Sequence, residues 1–280
     1  MLYYYANTGH KIGLERLRRG AALLNALSSK GVETQFLVND FRAGLVAKEL
    51  GVKDYVTVEG VQDIDAIAEH GDSIIIDSIE DDHGRLVKYC EDFKNVWRFA
   101  HDENDTAIHD EIVLEIDKTF VDKMYFAEAN IEPAKEERIL FFLGDADYDK
   151  VILGNEDFFK AFDMELLLGN YFFVKYEDDL AKLFSTLHEP EEYGDLITNS
   201  TTVVTCSAQT ALEVRASGGR SIYINITKNS LYPIGILSEY GVEIVDGFNI
   251  KALQDSLAKK VVGTGKLLEI IDDKNISSKL

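Results

Sequence analysis

Cysteine is nearly absent from this sequence. Only Cys90 and Cys206 occur, which gives no disulfide framework and no zinc-site spacing. Positive charge is also scarce. Against 50 Asp and Glu there are 29 Lys and Arg, for a formal net charge of -21. Such a balance argues against nucleic acid as the main partner, because phosphate contacts need a basic face. It argues in the same direction against docking on an anionic membrane. No apolar run reaches the roughly 18 residues of a membrane span. The N-terminus lacks a basic stretch followed by an apolar one, so no secretory signal is read and a cytoplasmic location is expected. The terminal Ser278-Lys279-Leu280 matches a three-residue peroxisomal address and is read as chance.

What is present is alternation. At 280 residues and 46% hydrophobic, the chain can bury one large core or two medium ones. Leu2-Tyr3-Tyr4-Tyr5, Thr34–Val38, Tyr55–Val58, Ser73–Asp77 and Val96–Phe99 read as strands. Helical spacing separates them: from Ile12 to Leu27, over 41–50, from Asp63 to Glu69 and from Leu86 to Phe93. Around Glu132-Pro133-Ala134-Lys135-Glu136-Glu137 the pattern stops, as at a linker. It then restarts. Arg138–Leu143, Tyr171–Val174, Thr202–Thr205 and Ser221–Asn225 read as strands, and Leu180–Leu187 as a helix. The expectation is α/β, with two tandem Rossmann-like, doubly wound domains facing across a cleft and divided at 134/135. No residue-level internal repeat is visible.

In such sheets ligands bind beyond the carboxyl ends of the strands. Two loops stand out there. The first is Asn7-Thr8-Gly9-His10, a glycine turn between a strand and a helix. The helix N-terminus that follows and its dipole favour an anion, and His10, placed at that spot, can move a proton near neutral pH. An isolated Gly-His pair is also compatible with a histidine that merely packs on the turn. Asp77 ends another strand of the same half.

The second loop runs from Thr205 through Cys206-Ser207-Ala208-Gln209-Thr210-Ala211-Leu212-Glu213. Ser207 or Gln209 would open a helix whose N–H groups suit a diphosphate. Glu213, about one and a half turns in, could accept hydrogen bonds from ribose hydroxyls. A capped core helix with a surface glutamate fits the same residues. The stretch His101 to Asp110 holds His101, Asp102, Asp105, His109 and Asp110, all possible metal ligands. Their spacing fits no ligand motif, and an acidic solvated loop is the reading adopted, as for Asp81-Asp82-His83.

These motifs carry a resemblance. Thr8-Gly9-His10-Lys11-Ile12, with Arg16 beyond, looks like the G-H-x-x-R region of the UDP-sugar hydrolase of pseudaminic acid biosynthesis. Ser207 through Glu213, and the strand Ser221–Ile224 after it, are similar to that family's S-x-x-x-x-x-E helix and following strand. Ile75-Ile76-Asp77 and Phe142-Leu143-Gly144-Asp145 match two of its strand ends. Its wider group is the GT-B fold, shared with the lipid-linked GlcNAc transferase of peptidoglycan synthesis. The resemblance implies a nucleotide-sugar hydrolase, metal-independent and without cofactor, that cleaves the anomeric C–O bond and releases UDP. A GT-B glycosyltransferase and a non-catalytic nucleotide-sugar-binding protein are the alternatives. It implies that residues 1–134 hold the sugar or acceptor and residues 135–280 the nucleotide. His10 and Asp77 would be catalytic, and Thr8, Gly9, Gly144, Ser207, Ala208, Gln209, Thr210 and Glu213 would bind substrate. Three departures stand beside it. Ser78 follows Asp77 where the family has histidine, Asp145 replaces a glycine, and His101-Asp102 matches the family's paired aspartates poorly.

Overall fold

A computed structural model describes residues 1–126, 135–227, 230–259, 265–266, 268 and 273–280. The chain forms two compact units, Met1–Asp122 with Glu269–Leu280, and Lys123–Leu268. The chain end belongs to the first unit. Lys30 Nζ lies 2.5 Å from Asp273, and Lys94 Nζ donates to the Leu280 carbonyl at 2.8 Å.

In the first unit the strands are β1 (Leu2–Ala6), β2 (Thr34–Val38), β3 (Tyr55–Thr57), β4 (Ser73–Asp77), β5 (Asn95–Phe99) and β6 (Ile112–Leu114). They form one parallel sheet in the order β3-β2-β1-β4-β5-β6. Every residue of β1 and of β4 is buried. That is why both read as continuous apolar runs and not as alternating ones. Three helices cover the sheet, α1 (Glu15–Ser29), α2 (Phe41–Glu49) and α3 (Arg85–Asp92). Asp40 caps α2 by accepting from the Ala43 amide at 2.8 Å. The expected helix over Asp63–Glu69 is a 3-10 turn, Val61–Ala66.

The second unit repeats this plan. Its strands are β7 (Glu136–Phe142), β8 (Glu165–Leu167), β9 (Leu187–His188), β10 (Ser200–Thr205), β11 (Arg220–Asn225) and β12 (Glu243–Asp246). Their order, β12-β11-β10-β7-β8-β9, is again parallel throughout. The helices are α4 (Val151–Gly154), α5 (Glu156–Phe159), α6 (Val174–Leu180), α7 (Tyr193–Asn199), α8 (Ala208–Ala216), α9 (Ile234–Glu239) and α10 (Ile250–Leu257). An aromatic core of Phe141, Phe158, Phe159 and Phe184 sits beneath them.

Several local expectations are corrected. Tyr171–Val174 is not a strand: Tyr171 lies in a turn, its amide donating to the Asp145 carbonyl at 2.8 Å, and α6 begins at Val174. Of the aromatic residues that suggested a strand, Tyr171 is buried whereas Phe173 is exposed. Leu180–Leu187 is not a helix, because α6 ends at Leu180 and Leu187 opens β9. Of the expected linker, 132–134 lies outside the described residues, whereas Glu136 and Glu137 already belong to β7.

Candidate functional site

In both units the strand order reverses beside the first strand, between β1 and β4 and between β7 and β10. Such a reversal opens a crevice at the carboxyl ends of the two strands. The sequence-derived residues fall at these two places. Thr8, Gly9, His10 and Asp77 gather at the first, and Gly144 with Ser207 to Glu213 at the second. The turn glycines match: Gly9 has φ 144° and Gly144 φ 138°, a region side-chain-bearing residues rarely enter.

At the first crevice, the Asn7 amide donates to the Asp77 carbonyl at 2.9 Å. Thr8 is buried and locked. Its amide and hydroxyl donate to Asn39 Oδ1 at 2.7 and 2.8 Å, and Asn39 Nδ2 returns a bond to the Thr8 carbonyl at 2.9 Å. Thr8 therefore shapes the loop. Gly9 then pairs with Gly13, with Ile12 and Gly13 amides donating to the Gly9 carbonyl at 3.0 and 2.8 Å. His10 stands exposed on that tight turn. The helix begins only at Glu15, so His10 is not at its N-terminus, and the dipole argument does not apply to it.

Asp77 is a structural hub. Tyr4 donates to its Oδ2 at 2.6 Å, Arg19 Nε to Oδ2 at 2.9 Å, and Arg19 Nη2 to Oδ1 at 2.7 Å. Arg16 Nε lies 3.3 Å from Oδ1. Three of the roughly four acceptor positions of a carboxylate take hydrogen bonds, and the Arg16 guanidinium adds a further positive charge. Asp77, expected to be catalytic, is thus fixed in the wall of the crevice by a phenol and two guanidinium groups. Arg18 and Arg19 of α1 are buried, and the Arg19 guanidinium stacks 3.7 Å over the Phe99 ring.

At the second crevice, Ser207 caps α8. Its Oγ accepts from the Thr210 amide at 3.2 Å and from the Thr210 hydroxyl at 2.8 Å. Ser207, Ala208, Gln209, Thr210 and Glu213 are all buried. A surface position for Glu213 is thereby corrected. Tyr193 donates to Glu213 Oε2 at 2.5 Å and Gln209 Nε2 to Oε1 at 3.0 Å, while Tyr232 donates to Gln209 Oε1 at 2.8 Å. Asp145, which replaces a phosphate-lining glycine in the resemblance, is turned to Asn170, whose Nδ2 donates to it at 2.9 Å.

The 101–110 stretch is a loop, and Arg98 orders it. Its guanidinium holds Asp105 with two bonds, at 2.5 and 2.8 Å, and donates to Glu111 at 3.1 Å. The guanidinium beside it holds the Asp105 carboxyl down to about 2. Among the described residues no group of three or more His, Cys, Asp and Glu is placed to hold a metal ion. Sequence reasoning missed Tyr193, Tyr232, Asn39 and Asn170, which reach these loops from distant segments with no local signature. No described helix is long and apolar enough to cross a membrane.

No protein-family model and no curated protein sequence matches the chain. Solved structures do. A Listeria monocytogenes protein assigned as a UDP-N-acetylglucosamine 2-epimerase aligns over 91% of this chain and 86% of its own, at 12% identity and TM-score 0.61. The Methanocaldococcus jannaschii UDP-GlcNAc 2-epimerase, solved with UDP-GlcNAc and UDP, aligns over 93% and 94% at 12% identity and TM-score 0.54. CalG4, the calicheamicin glycosyltransferase, aligns over 92% and 90% at 11% identity and TM-score 0.51. At such identities the likeness is one of fold. The fold is GT-B-like, two Rossmann-like α/β domains in tandem.

Proposed function

We propose that this chain is a nucleotide-sugar enzyme, with UDP bound by the second unit and the anomeric C–O bond of a UDP-sugar cleaved by water. The observation that carries the reading is the β10–α8 junction. A strand end, a serine cap and a helix N-terminus supply amide donors suited to a diphosphate. Behind them, Glu213 is held by neutral donors, Tyr193 and Gln209. Ribose hydroxyls are neutral donors of the same kind and can take their place. In this reading Ser207, Ala208, Gln209 and Thr210 meet the diphosphate and Glu213 the ribose, with Gly144 keeping the facing loop close and free of a side chain. Gly9 and Thr8 shape the loop that carries His10, and His10 takes the proton from water. UDP leaves with the electron pair of the broken bond, its charge offset by the helix amides.

Transfer to a hydroxyl acceptor is the second reading. It is favoured by the likeness to a glycosyltransferase at a TM-score of 0.51, close to that of one of the epimerases. UDP release from a panel of UDP-sugars, with and without acceptors, tests both. Release without acceptor supports hydrolysis, acceptor dependence supports transfer, and UDP binding with no turnover reduces the protein to a binding module. Under the hydrolase reading, His10→Asn should lower kcat about 10²–10⁴-fold with UDP affinity unchanged. A kcat per folded molecule equal to wild type would remove His10 from the chemistry.

A further inference from the structure

The β10–α8 junction of the second unit is closed over by its own chain. Glu213 is 1% exposed, and both its oxygens are engaged, Oε2 by Tyr193 and Oε1 by Gln209. The Tyr193 hydroxyl also lies 2.7 Å from Thr210 Oγ1, and Thr210 is tied in turn to the Ser207 cap through its amide and hydroxyl. One phenol oxygen therefore touches both ends of the site assigned to a nucleoside diphosphate, the helix start and the carboxylate behind it. A ligand that brings its own hydroxyls to Glu213 meets an oxygen already there.

The two donors to Glu213 are not held alike. Gln209 stands on the same helix as Glu213, four residues earlier, and its Oε1 accepts from Tyr232 at 2.8 Å. Its amide is fixed at both ends and moves with the carboxylate. Tyr193 comes from another element. It is the first residue of α7, directly after a 3-10 turn over Pro190–Glu192. Glu191 and Glu192 before it and Asp195 after it are exposed, and its ring packs edge-on against Phe142 with centroids 5.3 Å apart. The far end of α7 is anchored, with Leu196 and Ile197 buried and Lys135 Nζ donating to the Thr198 carbonyl at 2.6 Å. Motion of the start of α7 about that end withdraws the phenol from Glu213 and leaves α8 intact.

We infer that Tyr193 is a gate on this site: its phenol holds Glu213 until a nucleoside diphosphate binds and is displaced by the ribose hydroxyls, so that it lowers the affinity and makes the ribose the group that opens the site. The inference rests on the nucleotide reading of the junction and adds what closes that site and what opens it.

Calorimetry with UDP and with pyrophosphate tests it on the full chain, as wild type, Tyr193→Phe and Tyr232→Phe. Pyrophosphate has no ribose and probes the helix start alone. Tyr193→Phe removes one oxygen, so UDP should bind about 10-fold tighter, the scale of one hydrogen bond to a carboxylate, with pyrophosphate within about threefold of wild type. The melting temperature of the same variant without ligand should fall, because the carboxylate loses a donor. A residue that only supports the fold would lose stability and affinity together. Tyr232→Phe, which releases Gln209 and not the gate, should not tighten UDP. Hydrogen exchange of wild type needs no substitution: UDP should speed exchange over 190–196 while slowing it at the start of α8. UDP affinity unchanged or weakened in Tyr193→Phe would overturn the gate and leave the nucleotide reading standing. So would a matching gain for pyrophosphate, an equal gain in Tyr232→Phe, or slower exchange over 190–196. UDP bound by neither wild type nor Tyr193→Phe would remove the nucleotide reading itself, and the gate with it.

Discussion

Asp77 and Glu213 occupy comparable places, each buried beside the strand reversal of its unit, yet they are held differently. Asp77 is held by cations, Arg19 through two bonds and Arg16 at 3.3 Å. Glu213 is held by a phenol and an amide. A cation removed from a buried carboxylate leaves an unpaired charge, whereas a neutral donor can be exchanged for a ligand hydroxyl. On the proposed reading, the difference makes Asp77 part of the architecture of the first unit and Glu213 the group that meets a ligand in the second.

Asp77→Ala breaks the comparison at its strongest point. It strands Arg19 in the interior and should cost about 3–5 kcal/mol of stability in urea unfolding. Arg19→Ala should cost a similar amount, and the double variant should cost less than the sum of the two. A loss under about 1 kcal/mol for Asp77→Ala would mean the pair is not structural.

Glu213→Ala should cost less, about 1–3 kcal/mol, because the Tyr193 hydroxyl and Gln209 amide that lose a bond to it are neutral. A loss equal to that of Asp77→Ala would erase the distinction between the two carboxylates.

Asp105 sharpens the comparison in the first unit, being another carboxylate held by arginine but less deeply buried. Arg98 keeps its folded carboxyl at about 2, below the ordinary aspartate value of about 3.9. The sign follows from that depression. The contribution is complete above the unfolded value and is lost as pH falls through the folded one. Acid titration of stability should therefore show a component between pH of about 4 and 2 that Asp105→Asn removes. At neutral pH the same substitution should cost only about 0.5–1 kcal/mol, given its partial exposure. No change in the acid profile would show that Arg98 does not select the ionised form.

The sequence made the architecture legible because parallel strands buried on both faces are written as short apolar runs. β1, β4, β7, β10 and β11 all fall where such runs stand. Short edge strands are not written that way. β9 has two residues and β6 three, and neither was anticipated. The two crevices were also legible, because glycine turns and a serine cap are local signals. Their interiors were not. Arg19 lies 58 positions from Asp77 and Tyr193 lies 20 from Glu213, and no spacing rule links residues brought together only by sheet order. The burial of Arg19 likewise depends on strands formed much later in the chain. His101 looked like part of an acidic loop, and only its bond to the Ser78 carbonyl distinguishes it.

Calorimetric titration of UDP into wild type and Glu213→Ala tests the central claim, that the α8 junction of the second unit is the nucleotide site. The account predicts saturable binding by wild type and a loss of about 1.5–3 kcal/mol in the variant, as for hydrogen bonds to a charged group. Absence of UDP binding by wild type, or equal affinity in a folded Glu213→Ala, would contradict it.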